Sequence, residues 1–365
     1  MLDECQDNPE LSSYCVPRTP AFVTVRDADG DGDADVFVLS RSGFITAATN
    51  GGHGRFSPTF FRTGISPAQA SDSLLLCDVD DDGRLDLVHD GSRVLDGATA
   101  WLQPVGDTEW VLQRIIQTRL SGATCIDVDG DGRQEVVGLR AADLAGALPG
   151  TSPTFDEVVE RAVDLPAARV PPQFVGFADV SDDTVPDLLA MSDDGTTLFV
   201  LSGSAMLAEY AARTEHQVPL TGTTSMRLID VDDDGIPDVA LGGFSGDVPT
   251  LVVLLSRPDA GTVDFDVLEP IELAVAPDTL EPADVDGDGF PELVVGALPS
   301  AGLFAVDAID GTLAEIVLDD LVVAIGAADF DGDAFADLVV LPSQRDQMQI
   351  LWNDGAGNIA SGPTR

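Results

Sequence analysis

The sequence contains no lysine. Its 18 basic residues are all arginine, set against 64 acids, and the formal net charge is -46. So acidic a chain is repelled by nucleic acid and by anionic membrane surfaces, and neither is expected as a partner. No apolar run approaches the roughly 20 residues of a membrane span, so no membrane insertion is expected. Histidine occurs only at His53, His89 and His216, with no nucleophile elbow or P-loop beside it. Acids are so widespread that no pair stands out for glycosidase chemistry, and the chain is not expected to be an enzyme. The four cysteines, Cys5, Cys15, Cys77 and Cys125, make no CxxC pair, which argues against thiolate zinc. The opening "MLDECQDNPELSSYC" has neither the basic nor the apolar region of a signal peptide. We expect that one has been removed, because an even cysteine count fits an oxidising setting: secreted, periplasmic or cell-surface.

The chain is 44% hydrophobic, enough for a sizeable core and too apolar for a disordered acidic chain. Its acids are not scattered. "DADGDGDAD" at 27–35 recurs as "DVDDDGRLD" at 78–86, "DVDGDGRQE" at 127–135 and "DVSDDTVPD" at 179–187. It continues as "DVDDDGIPD" at 230–238, "DVDGDGFPE" at 284–292 and "DFDGDAFAD" at 329–337. Seven copies at a period of about 50 residues predict a repeat architecture rather than separate domains. Short apolar runs flank each copy, such as "AFVTV" before the first and "VFVLS" after it. They are too short for helices and read as strands, which makes each acidic loop the turn of a β-hairpin. Further runs, such as "AWLQPVG" and "EWVLQRIIQ", bring the count to about four strands per repeat. The expected fold is all-β: a seven-bladed β-propeller of four-stranded antiparallel blades. The blades fall at about 20–66, 67–118, 119–169, 170–220, 221–277, 278–320 and 321–365, after a tail at 1–19.

Acids at positions 1, 3, 5 and 9 of one loop converge hard oxygen donors on a point. A glycine at position 6 permits the turn, and position 7 can offer its backbone carbonyl. Such a donor set suits Ca²⁺ better than Mg²⁺ or a soft metal. The expected ligands of the first loop are Asp27, Asp29, Asp31, Asp33 (by its carbonyl) and Asp35. Those of the second are Asp78, Asp80, Asp82, Arg84 and Asp86, and of the third Asp127, Asp129, Asp131, Arg133 and Glu135. The fourth offers Asp179, Ser181, Asp183, Val185 and Asp187, and the fifth Asp230, Asp232, Asp234, Ile236 and Asp238. The sixth offers Asp284, Asp286, Asp288, Phe290 and Glu292, and the seventh Asp329, Asp331, Asp333, Phe335 and Asp337. An EF-hand is excluded, because position 12 is never acidic and strands flank every loop. The loop at 179–187, with Ser181 and Thr184, is expected to be the weakest of about seven sites.

These loops, with strands such as "LVVGALPSAGLFAV" at 293–306, resemble the FG-GAP/VCBS repeats of integrin α-subunit propellers. "LWNDGAGNIASG" at 351–362 is similar to a segment of bacterial VCBS repeats. The resemblance implies calcium at the first, third, fifth and ninth loop positions. It also implies that the loops join the first two strands of each blade on one face of a disc. It leaves activity open, because the family serves adhesion receptors, lectins and lyases alike.

The expected function is therefore calcium-stabilised recognition of a protein or glycan by a monomer. A carbohydrate-binding lectin is the alternative, and a polysaccharide lyase or hydrolase a remoter one. Binding is expected on the face opposite the acidic loops, at connections such as 40–43, 89–97 and 192–195, or at the longest, 140–163. Cys5 and Cys15 are expected to staple the tail. Cys77 and Cys125 have opposite strand parity and are expected to meet between the second and third blades. Whether the tail or the chain's end supplies the last outer strand is left open.

Overall fold

The computed structural model describes residues 13–16, 19–41, 43–62, 73–79, 81–90, 99–105, 109–116, 121–127, 134–140, 143–148, 157–162, 174–203, 212–259, 262–297, 300–355 and 358–362. Among them there is no helix, and the strands form six antiparallel sheets. The first sheet runs Pro20–Arg26, Asp35–Ser40, Phe44–Asn50 and Phe56–Arg62, each strand beside the next. The second holds Ser73–Cys77, Asp86–Asp90, Thr99–Val105 and Glu109–Ile116. The third holds Ser121–Ile126, Glu135–Arg140, Asp143–Leu148 and Glu157–Ala162. The stretch 140–163, expected to be the longest connection, thus holds two paired strands, Asp143–Leu148 and Glu157–Ala162. Its "DLAGAL" and "EVVERA" carry enough apolar and β-branched residues to pair, which the reading as an insertion overlooked.

Val175–Ala178, Asp187–Met191, Thr197–Ser202 and Ala212–Gln217 form the fourth sheet. Gly222–Ile229, Asp238–Ser245, Val248–Asp259 and Thr262–Val267 form the fifth. The sixth sheet has eight strands and two halves. Its hinge is the 16-residue strand Leu313–Ala328. One end of it pairs with Ser300–Val306 and the other with Asp337–Pro342. The sequence "LAEIVLDDLVVAIGAA" has no proline, and its one glycine lies near the end. Nothing in it forces a turn between the two partners.

The strands that follow the acidic loops are the most buried in the first, fourth and fifth sheets. Asp35–Ser40, Asp187–Met191 and Asp337–Pro342 are buried at every residue, as expected of strands covered on both faces. The fourth strands alternate toward solvent, as in Thr262–Val267. Seven apolar clusters among the described residues lie between neighbours. Phe37, Ile45 and Leu87 join the first sheet to the second, and Leu139 and Leu188 join the third to the fourth. Leu241 and Leu189 join the fifth to the fourth. One cluster closes the ring, with Val36, Val38 and Phe56 of the first sheet against Phe330, Val339 and Ile350 of the last. Burying each such side chain stabilises the fold by about 1.5–3 kcal/mol.

Both chain ends complete the last sheet. Ser13–Cys15 pairs with Cα partners Gln347 to Gln349, and Ile359–Ser361 pairs with Leu351 to Asn353 on the same strand. Tyr14 is buried against Phe56 in an edge-to-face contact with ring centroids 5.3 Å apart. Cys77 and Cys125 form the expected disulfide between the second and third sheets. Cys15 is also disulfide-bonded; Cys5, its expected partner, lies outside the described residues.

Candidate metal sites

Each acidic loop joins two neighbouring antiparallel strands, and the described loops are shaped by their own carboxylates. The position-1 aspartate accepts backbone N–H bonds from the turn it begins. Asp27 takes them from Gly30 at 2.8 Å and Gly32 at 3.0 Å, and Asp329 from Gly332 at 2.7 Å and Ala334 at 2.8 Å. The position-5 aspartate accepts the N–H of position 7, as Asp31 does from Asp33 at 3.0 Å and Asp288 from Phe290 at 2.8 Å. In the second, fourth and fifth loops Asp82, Asp183 and Asp234 hold Arg84, Val185 and Ile236 likewise.

Two positions in each of the six loops described there have left-handed backbone. Position 6 was expected from its glycines. Thr184 (φ 70) and Ala334 (φ 74) adopt the same conformation without being glycine. Position 4 was missed, although it is Gly30, Gly287 or Gly332 in three loops and Asp81, Asp182 or Asp233 in three others. Glycine and aspartate are residues that tolerate this region, so the signal was present.

The acids converge in four described loops. Carboxylate oxygens of Asp230, Asp232 and Asp234 lie within 4.8 Å of one another, as do those of Asp284, Asp286 and Asp288, and of Asp329, Asp331 and Asp333. In the first loop the group is Asp27, Asp29 and Asp35. The fourth loop, with Ser181 at position 3, shows no such group among the described residues. In the second loop Asp78, Asp82 and Asp86 are described and Asp80 is not; in the third, Asp129, Asp131 and Arg133 lie outside the described residues, leaving Asp127 and Glu135.

Position 9 has a second occupation. Asp35, Asp86, Asp187, Asp238 and Asp337 are fully buried, and Glu135 and Glu292 nearly so. One oxygen accepts the N–H of position 2, at 3.0 Å from Ala28 to Asp35 and 3.1 Å from Phe330 to Asp337. In four of them the other accepts an N–H from in or just after the third strand: Asn50 to Asp35, Ser256 to Asp238 and Asn353 to Asp337 at 2.8 Å, and Gly203 to Asp187 at 3.0 Å. The side chains of position 2 (Val79, Val180, Val231, Val285, Phe330) are plugs in the core. Position 9 therefore clamps the loop to its sheet, and in the last three loops it stands behind a group made by positions 1, 3 and 5.

The electrostatics of these residues fit a hard cation. Burial pushes the carboxyls of Asp35 and Asp238 up to about 6, and those of Glu292 and Asp337 up to about 7. Burial and then the neighbouring carboxylates raise Asp29 and Asp331. The Oδ1 atoms of Asp232 and Asp331 are buried and accept no hydrogen bond. Buried, mutually repelling, acceptor-only oxygens match a divalent cation and offer nothing to a soft one. Arg257 gives the fifth loop a partial counter-charge, 3.5 Å from Asp232 and 3.7 Å from Asp234.

On the same side, between the fifth and sixth loops, lies a cleft of about 370 Å³. Phe290, Pro291 and Ile309 line it with Asp232, Asp288 and Asp307. His216 lies 2.9 Å from the Thr214 hydroxyl and packs edge-on against Phe265.

Residues 27–89, which take in the first and second acidic loops, match the model of the FG-GAP-like repeat family. Comparison with curated proteins found no sequence match. Among solved structures the chain is similar to BBS1N in complex with ARL6DN. The lead-soaked crystal gives a TM-score of 0.59 at 13% identity, covering 95% of each chain. The mercury-soaked one gives 0.58 at 12%, covering 96% of this chain and 97% of that one. An Agrocybe aegerita lectin that recognises non-reducing terminal N-acetylglucosamine gives 0.49 at 15%, covering 95% and 81%. The likeness to BBS1N is one of fold: this chain is a β-propeller.

Proposed function

We propose that this chain is an extracytoplasmic, monomeric, non-catalytic binding propeller of seven blades, stiffened by calcium in its hairpin loops. The observation that carries the reading is the recurrence of converging acids at one corner of successive sheets. When bound, calcium would neutralise carboxylates that otherwise repel one another. Positions 1, 3 and 5 would hold it by side-chain oxygens, joined by position 9 in the first loop and braced by it in the others, and the fourth loop would bind most weakly. The two halves of the sixth sheet count as two blades, since each has its own acidic loop and they pack against each other in one cluster, Val294 and Leu303 of one half with Leu338 and Val340 of the other. The disulfide supports an oxidising compartment.

The partner is a protein rather than a glycan. Sugar sites rest on exposed aromatic platforms, and Trp352, Trp110 and Tyr14 are otherwise engaged; the Trp101 side chain and Tyr210 lie outside the described residues. Trp352 is buried and donates to the Gly362 carbonyl at 2.9 Å. Trp110 stacks on Phe61 at 5.8 Å, and Tyr14 is in the core. BBS1N, of the same fold, is itself seen in a protein complex. A test is to probe the calcium-loaded protein against a panel of purified extracellular proteins and a glycan array, each repeated in chelator. Protein-only binding that weakens in chelator is expected; binding confined to glycans would overturn the protein reading.

A further inference from the structure

Asn50 and Asn353 occupy equivalent places at the ends of third strands, and each is 1% exposed. Each makes the same three kinds of bond. Its N–H donates to the position-9 carboxylate of its own loop, Asp35 or Asp337. Its Oδ1 accepts the N–H of a glycine two residues on, at 3.2 Å for Gly52 and 3.1 Å for Gly355. Its Nδ2 reaches into the preceding unit. Asn353 donates to the Val285 carbonyl at 2.8 Å, and Asn50 donates across the ring closure to the Phe330 carbonyl at 2.9 Å. Val285 and Phe330 are position 2 of the sixth and seventh loops. Their carbonyls belong to the peptides that carry Asp286 and Asp331, members of the acid groups there.

A continuous series of hydrogen bonds therefore runs from Asp35 in the first loop through Asn50 to the seventh, and from Asp337 through Asn353 to the sixth. A second contact reinforces the last step. The Phe335 ring, at position 7 of the seventh loop, sits against Gly287 of the sixth loop and Gly355, where an added Cβ would overlap it. The fifth unit is built differently. Ser256 makes the same backbone bond to Asp238, but its hydroxyl donates to the Pro237 carbonyl of its own loop. In the fourth unit the corresponding donor to Asp187 is Gly203, which has no side chain to reach anything.

We propose that Asn50 and Asn353 are positioning residues that tie the sixth, seventh and first loops into one set, so that a cation bound at one raises affinity at the next. This rests on the cation reading of the loops. The physical basis is shared ordering. A cation in the first loop fixes Asp35, hence Asn50, hence the peptide that aims Asp331, so the seventh loop has less freedom left to lose when it binds. Linkage makes the effect reciprocal.

The test reads hydrogen exchange at 329–337 and 27–35 by mass spectrometry during a calcium titration of the full chain. Asp29→Asn disables the first loop without touching the seventh. It should shift the calcium midpoint at 329–337 upward by about fivefold or more. Asn50→Ser installs the residue found at position 256 in a blade of the same fold, and in that background Asp29→Asn should leave 329–337 unmoved. The reverse experiment needs no change at Asn50: Asp331→Asn should raise the midpoint at 27–35 by the same factor. An unmoved midpoint in either direction with Asn50 intact overturns the inference, as does transmission that survives Asn50→Ser. Those results leave calcium binding standing. No calcium-dependent protection at any loop would remove the cation reading, and this inference with it.

Discussion

Removing calcium should unfold this protein at a markedly lower temperature, and the size of the shift can be worked out. Four described loops bring three acids together. With free calcium at about a hundred times the dissociation constant, each would contribute about 2.7 kcal/mol, or about 11 kcal/mol together. Unfolding entropy near Tm is about 2.1 cal/mol/K per residue, hence about 0.8 kcal/mol/K for 365 residues. Chelation should therefore lower Tm by about 14 °C. Calorimetry in millimolar calcium and in excess chelator measures this directly. A chain of net charge -46 gains stability from any added salt, so ionic strength must be matched and magnesium run alongside. A shift under about 2 °C would refute the reasoning, and so would an equal gain from sodium or magnesium, which would assign the effect to screening.

Without metal, the raised carboxyls of Asp35, Asp238, Glu292 and Asp337 make protonation favour the folded state, so stability is greatest below about pH 4 and falls as pH rises through 6 to 7. Melting in chelator from pH 4 to 8 checks this: Tm should fall across the range while the increment from calcium grows, and a rising chelator curve would contradict it. Replacing Cys77 and Cys125 together by alanine releases a cross-link spanning 48 residues, which chain entropy puts at about 4 kcal/mol. Urea unfolding should read that loss, and a change under about 1 kcal/mol would show the denatured chain to be constrained already. Ala334→Gly should stabilise by about 0.5–1 kcal/mol, because alanine at φ 74 is strained and glycine is not. A loss on that substitution would place the strain elsewhere. Asp33→Asn should be close to neutral for calcium affinity, since only the backbone of position 7 is needed, whereas Asp31→Asn should weaken the first site; titration calorimetry separates the two.

The sequence was informative where the structural cause is local. The acids at positions 1, 3 and 5 meet within a single turn, so their spacing alone predicts the group. The second strands, buried on both faces, read as unbroken apolar runs such as "VFVLS" and "LVVL". The parity of Cys77 and Cys125 was enough to predict their bond, because neighbouring sheets pack opposite faces together. It was uninformative where the cause lies in another unit. Asn50 bonds a carbonyl 280 residues away, and no local pattern announces that. The last outer edge is shared by two three-residue strands, each too short to carry a period. The second occupation of position 9 was hidden likewise, because its partners Asn50, Ser256 and Asn353 lie 15 to 18 residues further on.

Thr184 and Ala334 bear on what builds the loop. If glycine made the turn, those two loops should have chosen another path, since a left-handed residue with a Cβ costs about 1–2 kcal/mol. They keep it instead. In both, the position-1 aspartate still accepts the N–H of position 6, at 2.7 Å from Thr184 and 2.8 Å from Ala334. In both, position 9 still holds position 2, at 3.2 Å and 3.1 Å. The conformation is imposed by carboxylates at the two ends of the loop, and glycine only lowers its cost. Carboxylates held this way are ordered before any cation arrives, and the entropy lost on binding one is correspondingly small. The weakness expected of the fourth loop then follows from Ser181, which removes a charge, and not from Thr184, which leaves the frame intact.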